Sequence, residues 1–274
     1  MGVAVRFCIA IFFFLASICV GDITAYAGQN SLHAKEESAT CNQNDIALEL
    51  DRAQLPEIRK AAESGSAQEQ YILGCFYMTG IGVQKNPAEA VQWWSKAASH
   101  GYAEAQAFLG SAYMQGSGVG KDAATGAAWL RKAADQGLKE AQAALSSCYM
   151  AGEGVPKDTG LGVAWLRKAA GQGFVDAQYL LGCMYYFAEN VERNWAEAAK
   201  WWRNIAKQGD EEVQYGLAML YGTGGFGVSQ DISEALYWMR QAAEQGYAPA
   251  QAELARAYLT GEGQKRMKKR VLPC

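Results

Sequence analysis

Histidine is almost absent from this chain: His33 and His100 are the only two among 274 residues. With no His/Cys cluster at ligand spacing, a metal site has no support and none is expected. His100 stands beside Gly101 at an expected helix end, where an imidazole suits the negative end of the helix dipole better than it suits proton transfer. A strong charge of one sign is lacking too. Lys and Arg total 25 against 28 Asp and Glu, a formal charge of −3, which gives no support for nucleic-acid binding. The apolar run Phe7 to Val20 is shorter than the about 20 residues that a membrane-spanning helix requires.

That short run reads instead as part of a targeting segment. Arg6 supplies a positive charge before it, and Ala25-Tyr26-Ala27 offers the small-x-small pattern read by a signal peptidase. Residues 1–27 are therefore expected to be a signal peptide cleaved after Ala27, giving a periplasmic or secreted protein. An uncleaved anchor and a lipid-modified Cys19 are the alternatives, the second disfavoured by Ile18. Cys8 and Cys19 leave with the segment, so Cys41, Cys75, Cys148, Cys183 and Cys274 remain, an odd number for an oxidising compartment. Cys75 and Cys183 are three structural repeats apart (below), far beyond the roughly 7 Å between Cα atoms that a disulfide tolerates. Cys148 and Cys183 lie in adjacent repeats, either close enough to approach each other or buried separately as small thiols.

What the chain has in abundance is internal repetition. Gln70, Gln106, Gln142, Gln178, Gln214 and Gln251 recur every 36 residues, with one step of 37. The same step carries Leu73 through Leu109 to Leu254, Tyr77 through Tyr113 to Tyr258, and Trp93 through Trp129 to Trp238. Self-similarity at this length means stacked supersecondary units rather than one globular core.

In the unit from Gly101 to Gln136, Gln106, Leu109, Gly110 and Tyr113 fall three or four residues apart and share one face of a first helix. Met114 to Val119, with its Gly-x-Gly, is the turn. Asp122 then caps a second helix, as do its counterparts Asn86, Asp158, Asn194 and Asp231. Glu89, Glu197 and Glu234, three residues after their caps, suggest capping boxes. The second helix should hold Trp129 on its inner side and stop at Gly137, a residue that suits the left-handed position after a helix. Leu, Tyr and Trp of one such hairpin cannot be buried by that hairpin alone, so neighbours must stack.

Residues 55–263 form this array, with 28–54 a polar leader and 264–274 a basic tail. Leu55 to Ser64 looks like a lone second helix acting as a cap. The fifth repeat takes its extra residue in the turn Gly222–Gly227. In the fourth, Ala188-Glu189-Asn190 replaces Gly-x-Gly, and a differently shaped turn is expected there. The sixth unit has no second helix with its Trp, so a partner, the tail itself or a shortened gene would have to account for the apolar face left open.

The pattern Ala-x-Ala-Gln-x-x-Leu-Gly-x-x-Tyr-x-x-Gly-x-Gly-Val, followed by Asp and then Trp-x-x-Lys-Ala-Ala-x-Gln-Gly, resembles the Sel-one-like repeat, a relative of the tetratricopeptide repeat. The resemblance implies an all-α, right-handed superhelical solenoid of helix–turn–helix repeats, working as a protein-interaction scaffold with no cofactor and no catalysis. Exported members of that family take part in host interaction and envelope signalling. A cysteine-rich branch is linked to β-lactam binding or hydrolysis, but Cys75, Cys148 and Cys183 do not recur as its cysteine pair does.

If the first helices line the concave side, as in such solenoids, the row Ile72, Phe108, Ala144, Leu180, Gly216 and Glu253, with Tyr71, Tyr179 and Tyr215 beside it, is the candidate groove for a partner protein. The competing reading is that these side chains pack first helices together. Glu104, Glu140, Asp176 and Glu212 open successive first helices, compensating the dipole or recognising a basic ligand. Ser146-Ser147-Cys148-Tyr149 has no identifiable base beside it, and the Gly-x-Gly turns lack the strand–loop–helix setting of a phosphate loop. The expected protein is thus an exported adaptor. The alternatives are a β-lactam-interacting enzyme and a truncated, degenerate repeat protein.

Overall fold

The computed structural model describes residues 54–260, in which the regular structure is α-helical. The expected signal peptide, the leader (all but its last residue) and the basic tail, with Cys41 and Cys274, lie outside the described residues. Residues 54–63 form α1. Six first helices follow, α2 (Ala67–Thr79), α4 (Ala103–Gln115), α6 (Lys139–Ala151), α8 (Val175–Phe187), α10 (Glu211–Thr223) and α12 (Ala248–Thr260). Between them stand the second helices α3 (Pro87–Ser99), α5 (Ala123–Asp135), α7 (Thr159–Gly171), α9 (Trp195–Lys207) and α11 (Ile232–Glu244). Each is 13 residues long, near the lower limit at which an isolated helix holds together in water, so packing has to stabilise it. The chain divides into two compact units that part between Trp165 and Leu166, inside α7. Each is an all-α solenoid segment built by the same rules.

The recurring glutamine ties successive hairpins together. Gln70 Nε2 donates to the Ala62 carbonyl at 3.0 Å, Gln106 to Ala98 at 3.2 Å and Gln142 to Ala134 at 3.2 Å. In the second unit Gln178 donates to Ala170 at 3.0 Å, Gln214 to Ala206 at 2.8 Å and Gln251 to Ala243 at 3.0 Å. Each acceptor lies in the last turn of the preceding second helix, where carbonyls have no partner within the helix. Five of these glutamines are buried, so an unmade bond would leave polar atoms dry. The glycine after each second helix (Gly101, Gly137, Gly173) takes the expected left-handed backbone, and the amide of the residue after that glycine closes on the same turn, as Tyr102 N–H does on the Ala97 carbonyl at 3.1 Å.

A second tie was not foreseen. The guanidinium of Arg59 donates to the Tyr77 hydroxyl, Arg131 to Tyr149, Arg167 to Tyr185 and Arg203 to Tyr221, each pair 18 residues apart. Ser95 stands where Tyr113 would need an arginine.

The caps form as expected: Asn86, Asp122, Asp158, Asn194 and Asp231 each accept an amide N–H of the first turn at 2.9–3.2 Å. The capping boxes do not close reciprocally. The N–H of Asn86, Asn194 and Asp231 donates instead to the carbonyl of the repeat tyrosine, Tyr77, Tyr185 or Tyr221. Their glutamates are thereby released: Glu234 accepts the Trp238 indole N–H at 3.0 Å, and Glu197 lies 3.7 Å from the Lys200 ammonium.

Two further expectations are corrected. Trp129 is only half-buried, with the Lys132 ammonium 3.7 Å from its ring centroid. At the equivalent position Trp93, Trp165 and Trp238 are buried and Trp201 is half-buried, while the residue that follows, Trp94, Leu130, Leu166 or Trp202, is buried in the first four repeats. There α4 and α5 cross so closely that a Cβ on Gly110 would lie 2.8 Å from Leu130 Cγ and 2.9 Å from the Gly126 carbonyl oxygen. The fourth turn, moreover, keeps the common shape. Ala188 and Asn190 both adopt φ of 62°, and the Asn194 N–H reaches the Tyr185 carbonyl at 3.0 Å just as Asp158 N–H reaches Tyr149 at 2.9 Å. The hydrogen-bonded frame on either side outweighs the cost of a left-handed alanine. In the first unit the second glycine of the turn is held by contact as well as by angle. A Cβ on Gly118 would come within 2.2 Å of the Pro87 carbonyl oxygen, and one on Gly154 within 2.0 Å of that of Ala123. The extra residue of the fifth repeat makes a tight turn through the Gly225–Val228 bridge, and the Phe226 carbonyl accepts the Trp195 N–H at 2.9 Å.

Two outcomes test these assignments. Gln178→Ala should lower stability by roughly 1–2 kcal/mol. Gln178→Glu should cost more at neutral pH, since a carboxylate cannot donate to a carbonyl. That buried acid would have a raised folded-state pKa, so its deficit relative to wild type should shrink on acidification, when the protonated acid can donate. Thermal melts at neutral pH and at pH about 4 check the sign. Ala188→Gly should raise stability by about 0.5–1 kcal/mol through relief of the left-handed strain, visible as a higher Tm with unchanged helical circular dichroism.

Candidate functional site

The row of first-helix side chains expected to face a partner divides between the interior and the surface. In the first unit Ile72, Tyr71 and Phe108 are buried, Phe108 only 6% exposed. Phe108 packs with its ring centre 5.6 Å from Tyr71 and 5.1 Å from Trp94, while Tyr71 also meets Tyr102 at 5.3 Å. In the second unit Leu180 is likewise buried, 5% exposed. For these four, helix packing is what the side chains do, and little of them is left for a partner. The reason is that a first helix in a stacked array is covered on more than one side, so its apolar residues are not confined to one stripe. A charge placed at Phe108 or Leu180 would therefore unfold its surroundings rather than report on binding.

Tyr179 and Tyr215 differ, being half-buried. They lie on α8 and α10 in the second unit, beside groups that give this strip its character. The Tyr179 hydroxyl donates to Glu212 Oε1 at 3.5 Å, a long bond. Burial first, then the neighbouring Cys183 and after it Glu212, pushes the Tyr179 phenol well above its usual range. Tyr215 stacks obliquely on Tyr247 with ring centres 5.5 Å apart, and burial with the nearby Glu253 raises its phenol too. Asp176, in the first turn of α8, has its carboxyl pushed up by burial. The Arg256 guanidinium pairs with Glu253. The strip is thus built of neutral phenols and carboxylates, with able acceptors and a cation already engaged.

Cys183, one turn after Tyr179, is partly buried, and burial raises its thiol to about 11. At neutral pH the sulfur is protonated and a poor nucleophile. Cys75 and Cys148 are buried, and Ser146, opposite Gly162, is fully buried. No group of three or more His, Cys, Asp or Glu among the described residues is arranged to hold a metal ion, and no helix among them is long and apolar enough to cross a membrane. His100 caps the end of α3, as expected from its position.

The repeat-defining residues other than Trp129 are placed as follows. Gln106, Leu109 and Gly110 are buried, Tyr113 half-buried, Asp122 caps α5 and Gly137 follows it with φ of 96°. What sequence reasoning missed was the Arg–Tyr pairing. Its signal was present in Arg131, Arg167, Arg203 and Arg240, two residues after the repeating tryptophans.

Comparison with known proteins agrees with this architecture. The sequence profile of the Sel1 repeat matches residues 70–102, 103–138, 139–174, 175–210, 212–247 and 248–268. Among solved structures, the chain is similar to a protective antigen present in uropathogenic Escherichia coli strains, described as displaying an SLR fold. The identity is 40% and the TM-score 0.69, over 78% of this chain and 45% of that one. The chain thus spans less than half the length of that relative. It is also similar to a Sel1 repeat protein from Oxalobacter formigenes, at 30% identity and a TM-score of 0.64, covering 78% of this chain and 88% of the other. No curated protein matches it. Sel1 repeat proteins generally mediate protein–protein interaction and are generally non-catalytic scaffolds. The matched segments account for most of the chain, which belongs to the Sel1 repeat family.

Proposed function

We propose that this chain is an exported, non-catalytic adaptor that holds a partner protein against the first-helix face of its repeats, in host interaction or envelope signalling. The observation that carries the reading is the strip around Tyr179 and Tyr215. Elsewhere on that face the large side chains are spent on packing, whereas these two phenols are half-exposed, oriented by Glu212 and Tyr247, and set among carboxylates. Rigid aromatic side chains with a polar tip contribute contact area at small entropic cost, the usual make-up of an interface anchor. The carboxylates Asp176, Glu212 and Glu253 favour a partner segment that carries basic residues. Export rests on the apolar run after Arg6 and the Ala25-Tyr26-Ala27 site.

Two measurements test the two halves of this reading. A photo-crosslinking amino acid at Tyr215, in the cells that make the protein, should give a discrete adduct that Tyr179→Ala abolishes. The same probe at Leu161, exposed on a second helix, should give none. Adducts from Leu161 alone, or none from either position, contradict the first-helix assignment. Mass spectrometry of the mature protein should find Gly28 as its first residue; an intact Met1 in purified envelope fractions would overturn cleavage at Ala27.

A further inference from the structure

The opposite kind of surface exists on the second helices of the same unit. A groove of about 530 Å³ runs between α9 and α11, lined by Arg203, Lys207, Ser233, Glu234, Tyr237 and Trp238. Two features single it out from the equivalent surfaces elsewhere in the array. At the Lys207 position the other second helices carry Ser99, Asp135, Gly171 and Glu244, none of them a cation. At the Tyr237 position they carry Gln92, Ala128, Ala164 and Lys200, none of them aromatic. With Lys200 one turn before Arg203, α9 presents cations at spacings of three and four residues, hence on one face.

The charges in the groove are open to a ligand. Among the described residues Lys207 is exposed and has no carboxylate within ion-pair distance, and Arg203 is bound only to the neutral Tyr221 hydroxyl. The one carboxylate in the lining, Glu234, is committed to the Trp238 indole N–H at 3.0 Å. Tyr237 is 53% exposed and held edge-on to Trp238, ring centres 4.9 Å apart, so a large apolar ring forms a fixed wall opposite the cations.

We propose that this groove docks an acidic segment of a partner protein, carboxylates on Arg203 and Lys207 and an apolar side chain on Tyr237. Charge complementarity selects the occupant: two cations against the single carboxylate of Glu234 leave the lining net positive and disfavour a basic segment, and the aromatic wall favours a peptide with apolar side chains over a bare polyanion. The inference rests on the reading of the chain as an interaction scaffold, but on a face distinct from the Tyr179–Tyr215 strip. The scaffold would then hold two partner segments of opposite charge.

The test uses the purified mature protein and a fluorescein-labelled peptide of alternating glutamate and phenylalanine, followed by anisotropy. Saturable, salt-sensitive binding is expected, weakened about tenfold or more by Lys207→Glu and reduced by Tyr237→Ala. Tyr179→Ala should leave it unchanged. Lys207 is exposed and unpartnered, so its variants should melt like wild type; Lys207→Gln serves as a milder second probe. Three results would overturn the proposal: no saturable binding, equal affinity for the Lys207 variants, or binding of heparin or of a phosphorylated peptide that outcompetes the acidic one. Loss of binding in Tyr179→Ala would place the peptide on the strip and overturn the groove alone, leaving the first-helix reading intact.

Discussion

A single amide group does the joining in this molecule. Each repeat glutamine reaches back eight residues and donates to a carbonyl in the last turn of the second helix before it. That carbonyl belongs to a helix end, where acceptors outnumber donors, and the bond forms in a dry setting where an unmet acceptor is costly. Once it forms, the angle at which the next first helix leaves is set, and the rest of the packing follows from it. Gly110 meets Leu130 and Gly126 because the hairpin is closed this tightly, and the tyrosine carbonyl lies where it can receive the amide of the next cap.

The sequence made the array visible because its restraints are periodic and their letters repeat. The turns, the caps and the glycine stops could be read residue by residue. The purpose of the glutamine could not, since a bond to a carbonyl eight residues away is a property of three-dimensional helix geometry. Trp129 was misplaced for a related reason. The next position, buried in the first four repeats, is filled by Trp94, Leu130, Leu166 and Trp202, so no single letter marks it, while the tryptophan before it repeats conspicuously yet is buried at Trp93, Trp165 and Trp238 and not at Trp129. The fourth turn shows the converse: an altered sequence, Ala188-Glu189-Asn190, held in the common backbone by its neighbours.

The same logic explains how the candidate surface was only half legible. Phe108 and Leu180 lie opposite the Leu/Tyr stripe, which in a lone amphipathic helix would mean exposure. In a stacked array such a face is covered by neighbouring helices, as Phe108 is by Tyr71 and Trp94 of the hairpin before it, and both residues are buried. Tyr179 and Tyr215 share the register but keep part of their rings outside. The groove between α9 and α11 escaped sequence reading because Lys207 and Tyr237 fall outside any repeated motif; their departure from the repeat is what makes it specific to one place.

The junction lacking an arginine carries an aromatic cluster. Ser95 occupies the arginine's register with Tyr113, and there Tyr71, Tyr102, Phe108 and Trp94 pack together. Beyond the glutamine bond that they share, neighbouring seams thus differ in what fastens them. Apolar association fades on cooling, whereas a guanidinium–phenol bond has no such dependence. Chilled water would slacken the aromatic seam first and leave the polar ones taut, so the order in which the hairpins loosen is set by temperature and not by position along the chain alone.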